Sequence, residues 1–140
     1  MRVADAMTSP VVTVPADASL RKAADRICEE DIGSVVVTRD GNPAGILTER
    51  DFVAAGREYD RAFGEIPVYA AASGPLVTVR PDASLRKAAR EMSEAGVKRL
   101  PVADGIDLVG ILTASDLVGV GESLDSAAKR YVQEREDWLS

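Results

Sequence analysis

The sequence predicts an α/β protein made of two pseudo-symmetric β-α-β-β-α units packed through their sheets. Three observations lead there. The phrase DASLRKAA occurs twice, at Asp17–Ala24 and again at Asp82–Ala89. Sliding the chain by 65 residues brings 20 of the 44 positions from Pro10 to Val53 into identity with their partners, without a gap. Each half alternates short β-branched runs with one stretch of helical periodicity, the pattern of mixed α/β units. A fixed period of this kind marks a duplicated structural unit that needs its twin to bury its faces.

The elements follow in order. PVVTV at Pro10–Val14, over PLVTV at Pro75–Val79, reads as a short strand. Ser19 and Ser84 stand as helix N-caps. The third helical positions are Lys22 and Lys87, so neither helix has a reciprocal capping box. Leu20, Ala23, Ala24 and Ile27 form one apolar stripe, matched by Leu85, Ala88, Ala89 and Met92. Gly96 predicts a left-handed stop to the second helix, and Asp31, its counterpart, suits that conformation less well. SVVVT and RLPVA predict strands, and RDGNP and DGID are turns leading into AGILT and LVGILT, which makes one hairpin per half. Short helices start near Glu49 and Ala114. Residues 1–64 are expected to hold the first unit with its linker, 65–120 the second, and 121–140 a helical tail with Ser123 as cap. Leu124, Ala128, Tyr131 and Trp138 would lie on one side of that tail.

Between the repeats, Arg57–Arg61 reads as a solvated linker and Ile66–Tyr69 as a lead-in strand or turn. Met7 and Met92 read as core, and Cys28, beside an apolar stripe, as a small buried hydrophobe.

Composition narrows the function. The chain has 140 residues, is 46% hydrophobic and 29% charged, and has 17 basic against 23 acidic residues, a net charge of −6. That balance argues against broad nucleic-acid affinity, which needs a basic footprint. The apolar runs are too short to span a bilayer. MRVADAMTSP lacks the apolar core of a secretory signal, and a single cysteine makes no internal disulfide, so the expected compartment is the cytoplasm. No histidine is present, which removes the commonest general base and the commonest transition-metal ligand.

Each repeat ends in G-h-x-T-x-x-D, with h apolar: Gly45-Ile46-Leu47-Thr48-Glu49-Arg50-Asp51 and Gly110-Ile111-Leu112-Thr113-Ala114-Ser115-Asp116. The unit ending in this motif, with the D-A-S-L helix starts and Arg99-Leu100-Pro101-Val102, resembles the cystathionine β-synthase (CBS) domain. Two in tandem are similar to a stand-alone CBS pair, or Bateman module. The resemblance implies a non-enzymatic regulatory module that binds AMP, ADP, ATP, S-adenosylmethionine or NAD, needs no cofactor, forms a homodimer and acts on a separate effector protein. An alternative is a ligand-free dimerisation module.

The chemistry fits such a ligand. One carboxylate can accept both ribose hydroxyls, a Thr hydroxyl beside a helix start can meet a phosphate, and Ile46 or Ile111 can lie on an adenine face. The resemblance sets Ile111, Thr113 and Asp116 with Thr8, Ile32, Gly33 and Ser34 in one cleft. It sets Ile46, Thr48 and Asp51 with Ser73, Val97, Lys98 and Arg99 in the other, where Arg50 stands next to Asp51. Lys98 and Arg99 replace Gly33 and Ser34, so the second cleft is expected to hold a phosphorylated nucleotide more tightly.

Overall fold

A computed structural model of the chain describes residues 1–74 and 76–118. The tail expected over 121–140 lies outside the described residues. The chain divides into two compact units. The first is Val11–Leu76, and the second joins Met1–Pro10 to the chain from Val77 onward. No helix among the described residues is long and apolar enough to cross a membrane.

In the first unit, β1 (Thr13–Pro15) runs parallel to β2 (Ser34–Arg39). The crossover between them is α2 (Leu20–Glu30). β2 pairs antiparallel with β3 (Asn42–Thr48), giving the order β1-β2-β3, and α3 (Glu49–Glu58) follows directly. The hairpin turns on Asp40 and Gly41, both at positive φ (54° and 81°), the geometry of a tight two-residue connection. The second unit contains α1 (Val3–Ala6), α4 (Leu85–Ala95), the antiparallel pair β4 (Arg99–Asp104) and β5 (Asp107–Thr113), and α5 (Ala114–Val118). The counterpart of β1 is reduced to one parallel bridge, Val79 to Val102.

The helix signals read from sequence match the backbone. Ser19 and Ser84 each accept a hydrogen bond from the backbone N–H three residues on, at 3.1 Å, which satisfies an end donor the helix cannot bond itself. Gly96 closes α4 at φ 67°, and Asp31 closes α2 in the same left-handed region at φ 52°. Leu20, Ala23 and Ile27 are buried on α2, and Leu85, Ala88, Ala89 and Met92 on α4. Each helix packs its stripe on its own core, in which Leu47 and Leu100 are fully buried.

Two expectations are corrected. Cys28 is exposed. It follows Ile27, and one helical step of about 100° turns it off the buried stripe. Met7 is half-buried against the second core rather than inside it, while Met92 is fully buried. The linker read over Arg57–Arg61 is largely exposed, as expected, with α3 running on to Glu58; beyond it Phe63–Glu65 and Val68–Ala70 are 3₁₀ turns. Ile66–Tyr69 is thus a turn and not a strand, with Ile66 and Val68 in the first core.

The units do not follow the repeat boundaries, because the lead-in segments are exchanged. Met1–Pro10, which precedes the first repeat, packs on the second. There the Val3 N–H donates to Ala83 O (2.8 Å), the Ala4 N–H to Pro81 O (2.9 Å) and the Leu85 N–H to Met1 O (3.1 Å). Residues 66–73, which precede the second repeat, do the same for the first. The Val68 N–H donates to Ala18 O (2.7 Å), the Tyr69 N–H to Ala16 O (3.0 Å) and the Leu20 N–H to Ile66 O (2.8 Å). Every pair is offset from its twin by 65 residues.

Val3 and Val68 are both fully buried at the heart of these contacts. We expect Val3→Ala and Val68→Ala each to cost about 2 kcal/mol, from lost apolar burial and the cavity left behind. Urea denaturation measures the cost. Amide exchange should locate the loss of protection in the second unit for Val3→Ala and in the first for Val68→Ala.

Candidate functional site

Each G-h-x-T-x-x-D motif occupies the corner where a hairpin's last strand becomes a helix. Gly45–Thr48 ends β3 and Asp51 lies in the first turn of α3. Gly110–Thr113 ends β5 and Asp116 lies in the first turn of α5. The Thr48 N–H donates to Asp51 Oδ2 at 2.8 Å, and the Thr113 N–H to Asp116 Oδ2 at the same distance. The Thr48 hydroxyl lies 3.1 Å from Asp51 Oδ2, and the Asp116 N–H donates to Thr113 Oγ1 at 3.3 Å. Both motifs therefore build reciprocal caps, with Asp in the third helical position. Each aspartate keeps its other carboxylate oxygen without a hydrogen bond among the described residues. All four side chains are half-buried.

The glycine has a separate task. The exchanged lead-in segment crosses the motif strand beside it. Ile46 and Ser73 exchange backbone hydrogen bonds at 3.0 and 2.9 Å, and Ile111 and Thr8 exchange two at 2.9 Å. A Cβ on Gly45 would stand 2.7 Å from Ser73 O, and one on Gly110 would stand 3.1 Å from Thr8 O and 2.5 Å from Met7 Sδ. No larger residue lets the segments lie this close. The capping bonds and this close approach explain the motif's spacing as local structure.

The sequence-derived residues divide between the two compact units: Thr8 falls with Ile111 and Ser73 with Ile46, while Ile32, Gly33 and Ser34, like Val97, Lys98 and Arg99, fall in the unit of their own repeat's motif. The first unit holds Ile46, Thr48, Arg50 and Asp51 with Ser73, Ile32, Gly33 and Ser34. Strand register sets Ser34 opposite Thr48, and Gly33 O accepts from the Glu49 N–H at 3.3 Å. Ser34 is buried. The second unit holds Ile111, Thr113 and Asp116 with Thr8, Val97, Lys98 and Arg99. Arg99 pairs in register with Thr113, and Lys98 O accepts from the Ala114 N–H at 2.9 Å. Thr8 and Ser73 thus belong to the opposite units from those the repeat boundaries assign. Ile46 and Ile111 are half-buried, as are Val97, Lys98 and Arg99. Sequence reading missed Met7, which lies over Gly110. The signal available was its place one residue before Thr8, in the segment that crosses the motif strand.

The fold and the two caps define a class: tandem α/β repeats that present paired Thr/Asp corners at strand ends. The model of the CBS domain matches the chain twice, over residues 3–58 and 64–123, and the chain belongs to that family. It is 34% identical over 129 residues to the CBS domain-containing protein YhcV of Bacillus subtilis, covering 89% of each chain. A solved CBS protein of unknown function from Thermoplasma acidophilum, TA0289, superposes with a TM-score of 0.83 at 27% identity, covering 98% of this chain and 76% of that one. The CBS domain pair of protein MJ0100, solved in complex with 5′-methylthioadenosine and S-adenosyl-L-methionine, superposes with a TM-score of 0.77 at 22% identity, covering 86% of this chain and 94% of that one. The family matches follow the repeat, whereas the compact units follow the exchange of lead-in segments. A tandem CBS pair is a regulatory module.

The two glycines should differ in tolerance. At Gly45 the obstacle is a backbone carbonyl, while at Gly110 the nearest obstacle is the movable end of Met7. Gly45→Ala is expected to cost about 2–3 kcal/mol and Gly110→Ala about 1 kcal/mol, both by overpacking. Thermal and urea unfolding of the two variants check the order.

Proposed function

We propose that the protein is a regulatory module that binds an adenosyl ligand at its G-h-x-T-x-x-D motifs and signals to a separate effector. The observation that carries this reading is the repeated corner itself. Each copy presents a half-buried carboxylate with one oxygen anchored on the backbone at 2.8 Å and the other available. An anchored acceptor loses little freedom on gripping a ribose hydroxyl. Ile46 and Ile111, each half-buried and two residues before the capping threonine, suit an adenine face. The adenosyl complex of the MJ0100 pair supports the ligand class at the level of the fold.

Lys98 and Arg99 give the phosphate preference. Their counterparts Gly33 and Ser34 carry no charge, so a phosphorylated nucleotide is served by Lys98 and Arg99 rather than by their twins. Ligand binding must favour one arrangement of the module over another for a signal to pass. A homodimer and an effector that reads its arrangement complete the proposal. No catalytic step and no resident cofactor are part of it.

One observation favours a second reading. The capping bonds account for Thr48, Asp51, Thr113 and Asp116 without any ligand. In that case the chain is a dimerisation module only.

Thermal shift and calorimetry with AMP, ATP, S-adenosylmethionine and 5′-methylthioadenosine separate the two. A ligand at a hundred times its Kd adds about 2.7 kcal/mol of apparent stability. Asp51→Asn and Asp116→Asn keep a neutral acceptor for the cap while removing the charge from the ribose contact. They are expected to weaken binding about tenfold with little change in unliganded stability. Arg99→Ala should weaken ATP and AMP about tenfold and leave 5′-methylthioadenosine nearly unchanged. Absence of any stabilising ligand in the panel would leave the dimerisation reading standing.

A further inference from the structure

The two units differ at the hairpin end of their sheets, the end away from the motif corners. In the second unit, Arg80 bridges two acids beside the β4–β5 hairpin: its Nε lies 3.1 Å from Asp82 Oδ1 and its Nη2 3.5 Å from Asp104 Oδ1. The Arg80 guanidinium holds the Asp82 carboxyl below its ordinary range, as a direct hydrogen-bonded partner should. In the first unit, the 65-residue offset puts Pro15 where Arg80 stands, Arg39 where Asp104 stands and Tyr69 where Ala4 stands, while Asp17 matches Asp82. The short proline leaves the bridging side chain's place vacant. A surface cavity of about 360 Å³ is found there, lined by Pro15, Ala16, Asp17, Arg39, Asp40 and Tyr69, among others. That volume is at the lower end of small-molecule sites.

The charges say what would fill it. In the second unit the bridge faces two carboxylates, so one guanidinium serves both. In the first unit one carboxylate remains and the other has become a guanidinium. Arg39, Asp17 and Asp40 make no ion pair or hydrogen bond with one another or with other side chains among the described residues. A group that bridged Asp17 and Arg39 would present a cation to the one and an anion to the other. Tyr69, 60% exposed, adds an apolar wall beside Pro15 and Ala16.

We propose that this cavity of the first unit binds a small zwitterion of the α-amino acid class, with its ammonium on Asp17 and Asp40, its carboxylate on Arg39 and its side chain against Tyr69. The site shares no residue with the two motifs and does not depend on the adenosyl reading.

The test is a ¹H–¹⁵N titration of the full chain with L-leucine and with L-phenylalanine. Saturable shifts are expected at the Asp17, Arg39, Asp40 and Gly41 amides, with Kd on the order of 1 mM. Leucinamide, which lacks the carboxylate, and N-acetyl-leucine, which lacks the ammonium, should each bind at least about tenfold more weakly. The double variant Pro15→Arg/Arg39→Asp rebuilds the second unit's bridge, keeps the fold and should abolish the shifts. Two results would overturn the proposal: no saturable shift by about 10 mM of either amino acid, or shifts that persist in the double variant.

Discussion

The structure depends on one close contact made twice: the backbone of a lead-in segment laid against the strand that carries the G-h-x-T-x-x-D motif. Ser73 on Ile46 and Thr8 on Ile111 each form a reciprocal pair of backbone hydrogen bonds beside a glycine. Bonded backbone groups at these strands need no water, which lets the strand's neighbours Leu47 and Leu112 stay fully buried. The same contact fixes the strand end from which Thr48 and Thr113 cap their helices. Fold and candidate site therefore share a single support.

Exchange of the lead-in segments makes the repeats mutually dependent. Neither repeat supplies the segment that completes its own core, since Val3 serves the second and Val68 the first. A duplicated chain built this way cannot keep one half and discard the other without losing buried apolar surface and several backbone bonds. The copies remain free to diverge where side chains are exposed. They have done so at the strand starts, where Gly33 and Ser34 face Lys98 and Arg99 in the alignment, and at the hairpins, where an arginine bridge in one unit is a cavity in the other.

Much of the fold was legible because its signals are local. Ser19 and Ser84 cap helices through bonds spanning three residues, and the stripe of Leu20, Ala23 and Ile27 obeys helical periodicity alone. The positive φ of Gly96 follows from the same short-range sterics. The motif residues were legible as a pair because each appears twice at one spacing. Cys28 was misjudged because one helical step separates a buried position from an exposed one, and a stripe's edge cannot be placed that finely from residue type. The 3₁₀ turn at Phe63–Glu65 was missed, and strand or turn stayed open at Ile66–Tyr69, because the order there comes from packing against the first core and not from local propensity.

By itself the sequence determined the duplication, the order of elements in each repeat, the helix caps and the residues of the two motif corners. All of these rest on interactions between residues a few positions apart, or on comparison of the chain with itself. The family resemblance grouped Thr8 with Ile111 and Ser73 with Ile46, and tertiary structure decided which lead-in segment completes which core. Thr8 meets Ile111 across 103 residues and Ser73 meets Ile46 across 27, and periodicity cannot rank such pairings. Only the assembled structure shows why a side chain meets a backbone carbonyl at Gly45 but first the movable end of Met7 at Gly110, and why one hairpin holds a bridge where its twin holds a cavity.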